Sequence, residues 1–569
     1  MTEKQPWQKF WPEAAKQFSE ASVGHRHLAE ILPDAASRFG ERPAVSTQLP
    51  NGACATLNFN EIEALTADFA VWLREIAGVQ AGDTVALMSP NCCDFLVAAF
   101  GIFTAGCVCT NVNPLYTAPE VEHQLKDSGA KVLVIADLFG DKAETVVNNT
   151  SVEHVVTLSL ADFFPPLKKA LMGFVLKRVK KVIPVLTIPH VTMAEALKGG
   201  GAHRAANGID ASGYHKGQAL DSVAVYQYTG GTTGRSKGAE LSHRNILFNA
   251  AATVSLIEET MGEDGGDCSI VALPLYHITA FALVMMPSLV KGSHLVMIPS
   301  PRPPVNLKPA FEKHRITHFS GINTLFAALL EEPWCTRETL KDLKLCSSGG
   351  AAQLVAVAQR WEELTGLPIY QGYGLTECAG CLTLNPYGAN RPGYAGVPIP
   401  LTDIRITDDD GNELPRGSAG EVVARGPTIM QRYLNQPEIS DETLKDGWLH
   451  TGDIGIMDED GYLQIVDRKK DMILVSGFNV YPNEVEDVIA RLDGVVEVGV
   501  VGVPDEKMGE SVKAFVVSSD PDLSAGHIRD FCESSLTNYK RPREIEFVAE
   551  IPKTPVGKVL RRNLRELKN

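Results

Sequence analysis

Between Tyr228 and Gly238 the sequence reads YTGGTTGRSKG, with glycines at 230, 231, 234 and 238 among the hydroxyls of Thr229, Thr232, Thr233 and Ser236 and the cations of Arg235 and Lys237. Glycines let backbone N–H groups turn toward an anion, hydroxyls add donors, and a lysine supplies positive charge. Such a loop suits an oligophosphate. In the P-loop NTPases the lysine follows the last glycine directly, whereas here Lys237 comes three positions after Gly234, so this is a different loop. A strand-like run, SVAVYQ (222–227), precedes it, and Ser242, placed to cap a helix, follows it. That setting fits a plain flexible connector poorly.

Further along stand Gly349-Gly350-Ala351, Tyr370-Gln371-Gly372-Tyr373-Gly374-Leu375-Thr376-Glu377, Trp448-Leu449-His450-Thr451-Gly452-Asp453, Asp467-Arg468-Lys469-Lys470-Asp471 and Pro552-Lys553-Thr554-Pro555-Val556-Gly557-Lys558. In type, order and spacing these segments and the 228–238 loop resemble the motifs of the adenylate-forming superfamily: acyl-CoA synthetases, luciferases and peptide-synthetase adenylation domains. The likeness spans roughly residues 25 to 565.

The resemblance implies an acid–thiol ligase that uses ATP and coenzyme A. Joining a carboxylate to the α-phosphate of ATP sets like charge against like charge, so the triphosphate must first be neutralised. The 229–234 loop, with Gly230, Gly231, Thr232, Thr233 and Gly234, and Lys237 would hold the phosphates. Glu377, with Thr229 or Thr232 nearby, would hold Mg²⁺, an ion that favours oxygen ligands. Tyr373 would offer a flat face to adenine against the close backbone of Gly349, Gly350 and Ala351, with Gly374 next to it. Asp453 and Arg468 would bind the ribose hydroxyls, and Thr376 the phosphate. Taken singly, each residue has a plainer reading: Glu377 as a solvated loop carboxylate, Tyr373 as a half-buried core ring, Asp453 as a hairpin cap, Arg468 as a surface partner of Asp471.

Lys558 matches the lysine that enters the site during adenylation and bridges carboxylate and phosphate, an electrostatic role because lysine is charged at neutral pH. Lys470 matches the hinge about which a C-terminal domain turns between half-reactions. Ser476, Gly477 and Phe478 would then line the pantetheine channel, although Gly477 also reads as a simple turn. Leu273-Pro274-Leu275-Tyr276-His277-Ile278, the apolar run from Ala280 with Phe281, and Gly321-Ile322-Asn323 would frame the acyl pocket, with Tyr276, His277, Phe281 and Gly321 on its wall. His277 is assigned positioning, since a carboxylate is already ionised and needs no base. Residues 446–475, with RKKDMILVSGFNVYPNEVED after Asp467, look most like bacterial long-chain fatty acyl-CoA synthetases. Rival readings are a medium-chain or aryl acyl-CoA ligase, a fatty acyl-AMP ligase serving a carrier protein, and a non-catalytic lipid-binding protein of the same fold.

These residues need a scaffold. TVALMSP (84–90), KVLVIAD (131–137), HVVTLS (154–159) and HLVMIPS (294–300) alternate with helical patterns, which predicts α/β layers with parallel strands. After about residue 400 the texture changes: DIRITDDDGNEL (403–414) and DIGIMDEDGYLQIVD (453–467) each predict a hairpin around an acidic turn ending in glycine. The expected organisation is a large N-terminal domain over 1–466, its antiparallel β subdomain at about 403–466, a hinge at 467–471 and a small α+β domain over 472–569, with helices at 483–492 and 523–536 and strands at 495–503 and 511–519.

The 569 residues, 44% hydrophobic and 21% charged, are enough for several cores, and a net charge of -16 disfavours nucleic acid as a partner. Eleven scattered cysteines suggest a reducing cytoplasm, and Cys378-x-x-Cys381 reads as thiols rather than a zinc site. The first residues show no signal peptide and no stretch reaches the roughly 20 apolar residues of a membrane span. Residues 165–184 predict a basic amphipathic helix inside a segment, 163–194, without one acidic residue. It reads equally as a solvated surface helix or as a transient contact with the inner face of a membrane, although Lys168 and Arg178 interrupt the apolar face. A dimer is compatible with the sequence.

Overall fold

The aliphatic runs that the sequence sets between turns become strands covered on both sides, as parallel sheets require. The computed structural model describes residues 5–229, 235–262, 264–351, 353–505, 507–554 and 559–567. Among them one sheet has seven strands in the order Val191–Thr192, His154–Leu158, Val132–Ala136, Thr84–Met88, Val108–Asn111, Val223–Tyr228, Gly238–Ser242, parallel except for the last. A second has nine strands, with a parallel centre of Ile369–Tyr373, Leu345–Ser348, His318–Gly321, Cys268–Val271, His294–Met297 and Pro43–Gln48. The four strands expected at 84–90, 131–137, 154–159 and 294–300 all form, each slightly shorter.

Helix Cys93–Thr104 is buried along its whole length and packs on helix Phe59–Val71. Gly101 makes the approach close, since a Cβ there would lie 2.6 Å from the ring of Phe69. Buried Asn91, just after strand Thr84–Met88, joins the two sheets: its amide donates to the carbonyls of Val271 and Leu273, at 2.9 and 2.8 Å, and its oxygen accepts from Leu275 N–H. The segments singled out for chemistry leave the C-terminal ends of strands: Tyr228 into the 230–234 loop, Ser348 into Gly349-Gly350, Tyr373 into Gly374–Glu377, and Gly321 into Ile322. Parallel sheets place ligand sites at those ends.

A third, antiparallel sheet contains Asp403–Thr407, Ala419–Arg425, Trp448–Met457, Leu444–Lys445 and Leu463–Arg468. The 453–467 hairpin forms as expected. The 403–414 hairpin forms only as a short turn, with a bridge between Thr407 and Glu413, and Asp403–Thr407 makes its longer pairing with Ala419–Arg425. Leu414 turns back to donate to Ile406, and the longer partner buries Val422, Val423 and Ala424, which the polar residues after Gly411 could not match. The small domain has strands Ile473–Val475, Phe478–Val480, Val495–Asp505, Gly509–Ser518 and Glu544–Phe547, with helices Pro482–Ile489 and Ala525–Ser535 packed on them.

Helix His243–Ser255, capped by Ser242, supports the site from below: the amide of Asn245 donates to the carbonyls of Pro427 and Ile429, and that of Asn249 to those of Cys378 and Cys381. Its first residue, His243, lies against His27 with ring centroids 3.6 Å apart, and His27 also stacks on His215. Nδ1 of His27 accepts from Ala29 N–H, and Nδ1 of His243 accepts from Leu28 N–H. Burial lowers the pKa of His27 to about 4 and of His243 to about 2, and neighbouring imidazoles add to both shifts. Both folded values lie below that of an exposed histidine, so the stability they carry is full above pH 6.5 and lost as pH falls from there toward 4. Each depressed histidine costs about 1.4 kcal/mol per pH unit across that window. Urea midpoints measured from pH 7.5 to 5 should therefore fall steeply below 6.5, and His27→Gln should flatten the slope; a midpoint independent of pH would show that the cluster accommodates a proton.

Candidate active site

Strands Val223–Tyr228 and Gly238–Ser242 form a hairpin whose connection is the glycine-rich loop, and Thr229 N–H donates to Lys237 C=O at 2.9 Å to close its base. Gly230, Gly231, Thr232, Thr233 and Gly234 lie outside the described residues. Gly238 packs under Tyr228, whose ring would be 3.0 Å from any Cβ there, and the phenol of Tyr228 donates to Asp127 at 2.7 Å. The Lys237 ammonium sits 4.6 Å from the ring centre of Tyr433. Tyr433 in turn donates its hydroxyl to Glu377 Oε1 at 2.6 Å, and burial together with that carboxylate raises its pKa. Thr376 and Glu377 are presented on a single 3₁₀ turn, Thr376–Cys378, held by Met430 N–H on Glu377 C=O and by the Cys378 thiol, which accepts from Leu375 N–H. Cys378 and Cys381 are buried, so the pair supports this turn from inside. The structure thus brings Thr229, Lys237 and Glu377 to one place through Tyr433.

On the other side of the turn, Tyr373 donates its hydroxyl to Asp453 Oδ2 at 2.7 Å, while Arg468 Nε lies 3.4 Å from Asp453 Oδ1. Asp453 and Arg468 are cross-strand partners, which fixes their spacing. Burial, then the Asp453 carboxylate, holds the Tyr373 phenol well above its ordinary pKa, so it stays a donor. Lys470 stands in the turn two residues on. Burial and then the charge of Arg468 lower its pKa, with Lys237 adding to the shift and Asp471 and Asp453 opposing it.

Gly349 and Gly350 follow strand Leu345–Ser348, and Gly350 has φ +80, a conformation that favours glycine. Gly374 has no room for a side chain: a Cβ would meet Gly380 O at 2.4 Å. Gly349, Gly350, Gly372 and Gly374 share the lining of a cavity of about 90 Å³ with Gly321 and an apolar wall that includes Ile257, Met261, Leu283 and Val284. Of the residues expected on an acyl pocket, Gly321 lines this cavity. Tyr276 and His277 stand before its wall helix: Gln227 donates to Tyr276 C=O, and His277 caps the helix by accepting from Thr279 N–H. Phe281 is placed elsewhere. It is fully buried against Phe95 and Phe103, because on this helix Leu283 and Val284 face the cavity and Phe281 faces the core.

Past Arg468 the chain passes to the small domain. Asp467 is buried and held there by Asn483 N–H at 2.9 Å and Arg561 at 3.4 Å; burial raises its pKa to about 6 against the pull of Arg561. Ser476 and Gly477 form a two-residue turn with φ of 51 and 83, a geometry that suits hairpins. Phe478 is exposed and stacks on Tyr539 with centroids 4.7 Å apart. Lys558 lies outside the described residues.

The model of the AMP-binding enzyme family matches residues 32–434, and that of the AMP-binding enzyme C-terminal domain matches 484–558. This chain belongs to the AMP-binding enzyme family. A long-chain-fatty-acid–CoA ligase of Salmonella typhimurium is 42% identical over 548 residues, covering 95% of this chain and 94% of the relative. One from Haemophilus influenzae is 41% identical over 98% of both chains. Among solved structures, ATP-bound MatB from Rhodopseudomonas palustris superposes with a TM-score of 0.80 at 28% identity, covering 95% of this chain and 98% of that one.

Sequence reasoning missed Tyr433, which has no motif around it and acts only through the fold. It also missed Asn245 and Asn249, although amides four residues apart on an otherwise apolar helix signal a polar clamp. A hydrogen bond to a charged group contributes about 1.5–3 kcal/mol. Tyr433→Phe should therefore reduce turnover about tenfold or more. Unchanged turnover would limit Tyr433 to a structural part.

Proposed function

We propose that the protein is a long-chain fatty-acid–CoA ligase, converting fatty acid, ATP and coenzyme A into acyl-CoA, AMP and diphosphate through an acyl-adenylate. The observation that carries this reading is the cavity whose apolar wall is continuous with Gly349, Gly350, Gly372 and Gly374. An alkyl chain held there would lie next to the strand end that bears Tyr373. The similarity of the whole chain to curated ligases of long-chain acids supports the same conclusion.

In this reading Tyr373 and the Gly349–Ala351 backbone flank adenine, Asp453 and Arg468 take the ribose, and Lys237, Thr376 and the 229–234 loop take the phosphates. Glu377 and Thr229 offer hard oxygens suited to Mg²⁺, which when bound would spread the phosphate charge. Glu377 fits that part: it is half-buried, and the Tyr433 hydroxyl fixes the orientation of its carboxylate. The domain limits proposed are 1–466 and 472–569 with a hinge at 467–471, so that a turn at Lys470 exchanges Lys558 for Ser476, Gly477 and Phe478 at the site. The setting proposed is the cytoplasm, in transient contact with the membrane.

Burial of each methylene contributes about 0.8 kcal/mol, roughly a fourfold gain in affinity. Fatty-acid-dependent exchange of diphosphate into ATP should therefore strengthen along a series of saturated acids until the cavity is full. Strongest exchange with aryl or short acids would replace the long-chain assignment, and no exchange with any acid would replace the ligase reading. Lys558→Ala should slow the exchange by about 10²–10³, the usual effect of losing one preorganised donor. It should leave thioester formation from preformed acyl-adenylate nearly intact; equal loss in both steps would remove Lys558 from its assigned role.

A further inference from the structure

The connection between strands His154–Leu158 and Val191–Thr192 displays its apolar side chains outward. Helix Pro166–Phe174 has no buried residue, and Leu167, Leu171 and Phe174 are 84%, 63% and 60% exposed. These three positions, four and three residues apart, share one face. The sequence places Arg178 next on that stripe, but residues Val175–Val179 form a π-helical turn. A π turn takes in about one extra residue, so Val179, 64% exposed, follows in the stripe instead of Arg178. Val182 and Val185 continue the exposed apolar surface.

This segment is held out rather than loose. At its start Lys169 pairs with Asp162 at 2.8 Å, and Met172 packs on the small cluster of Ala55, Ala161 and Phe164. At its end Glu144 accepts from the backbone of Thr187 at 2.9 Å and of Ile188 at 3.3 Å, while Leu186 packs over Gly140. Charge is as uneven as hydropathy. From 163 to 194 there are six lysines and arginines and no acidic residue, in a chain of net charge -16. Lys168, Lys177, Arg178, Lys180 and Lys181 are all exposed beside the apolar stripe.

We infer that residues 166–185 form a docking element for an anionic lipid bilayer, with Leu167, Leu171, Phe174 and Val179 entering the interface and the flanking cations meeting the headgroups. Both halves of the pattern are required: apolar burial supplies retention and cations near anionic lipid supply attraction. A second copy of this chain is the weaker occupant, because a symmetric contact would bring the two cation clusters together. Among the described residues no helix is long and apolar enough to cross a membrane, so the contact is superficial. The inference goes beyond the ligase reading, whose substrate would dissolve in the same bilayer.

The test is flotation of the full-length protein with vesicles of phosphatidylcholine alone and of phosphatidylcholine mixed with phosphatidylglycerol. Binding is expected to the mixed vesicles, falling with added salt. Leu171→Ser with Phe174→Ser, and separately Lys180→Glu with Lys181→Glu, should each lower the partition coefficient about tenfold or more. Diphosphate exchange with a short soluble acid should stay unchanged in both variants; its absence in all forms of the protein would count against the ligase reading and leave the docking result standing. Equal binding to neutral vesicles, undiminished binding by either variant, or a dimer in solution that the Leu171/Phe174 variant dissociates would overturn the proposal.

Discussion

The hydrogen bond from Tyr373 to Asp453 is the contact on which the geometry of the site depends. Tyr373 ends a central strand of the nine-stranded sheet and Asp453 sits in the antiparallel sheet, so the bond crosses between two bodies that also share an apolar cluster and the backbone pairing of Ala395 and Gly396 with Leu463. Apolar burial is strong but has no direction. A short bond to a carboxylate has direction, and burial of the phenol keeps its proton in place. The Tyr433–Glu377 bond repeats the device on the other side of the same turn. Between them they fix the 374–378 segment, where Gly374 leaves no space for a side chain and the buried Cys378 thiol fills the inside.

From Asp453 the constraint passes to the hinge. Arg468 is its cross-strand partner, and because side chains alternate along a strand, Asp467 faces the other way. There it meets Asn483 and Arg561 of the small domain. Two adjacent residues therefore hold two different domains. The proposed turn of the small domain about residues 469–471 would leave Arg468 with Asp453 but would have to break the bonds to Asp467. Arg561 also binds Glu486 through both carboxylate oxygens at 2.9 Å, a contact within the small domain that moves with it. A buried carboxylate stripped of its guanidinium is unfavourable, which would give the two orientations of the proposed rotation separate minima rather than a continuum.

Much of this was legible in the sequence because local signals and tertiary outcome agreed. The parallel strands, the Ser242 cap and the 453–467 hairpin are all written in residue type and spacing. The failures have one physical form: a local signal was overridden by a better distant partner. The acidic turn after Thr407 closes only a short hairpin, and the main pairing of its strand is with Ala419–Arg425, whose apolar residues fill the core. Phe281 belongs to the run beside the cavity, yet which side of a helix faces a cavity is decided by what packs behind it, here Phe95 and Phe103. Arg178 interrupts the apolar stripe only under an ideal helical period, and the π turn alters that period. Tyr433 could not be found at all, since its significance arises only when residues far apart in the chain meet.

The electrostatic arrangement explains how so acidic a chain can handle a polyanion. Lys237 comes from one segment and Arg468 and Lys470 from another, and they gather near Asp453; burial first, and then the like charge of Arg468 and Lys237, lowers the pKa of Lys470. Crowding cations raises the energy of the empty site. A triphosphate entering among them removes that repulsion, so part of its binding energy comes from relief of strain already present in the protein. In the proposed reaction the same crowding would oppose premature gathering of further charge at the site, including that of Lys558, until the anion is bound. Order of events would thus follow from charge alone: nucleotide first, then closure, with the net negative surface elsewhere contributing little at separations beyond the roughly 8–10 Å over which salt screens it.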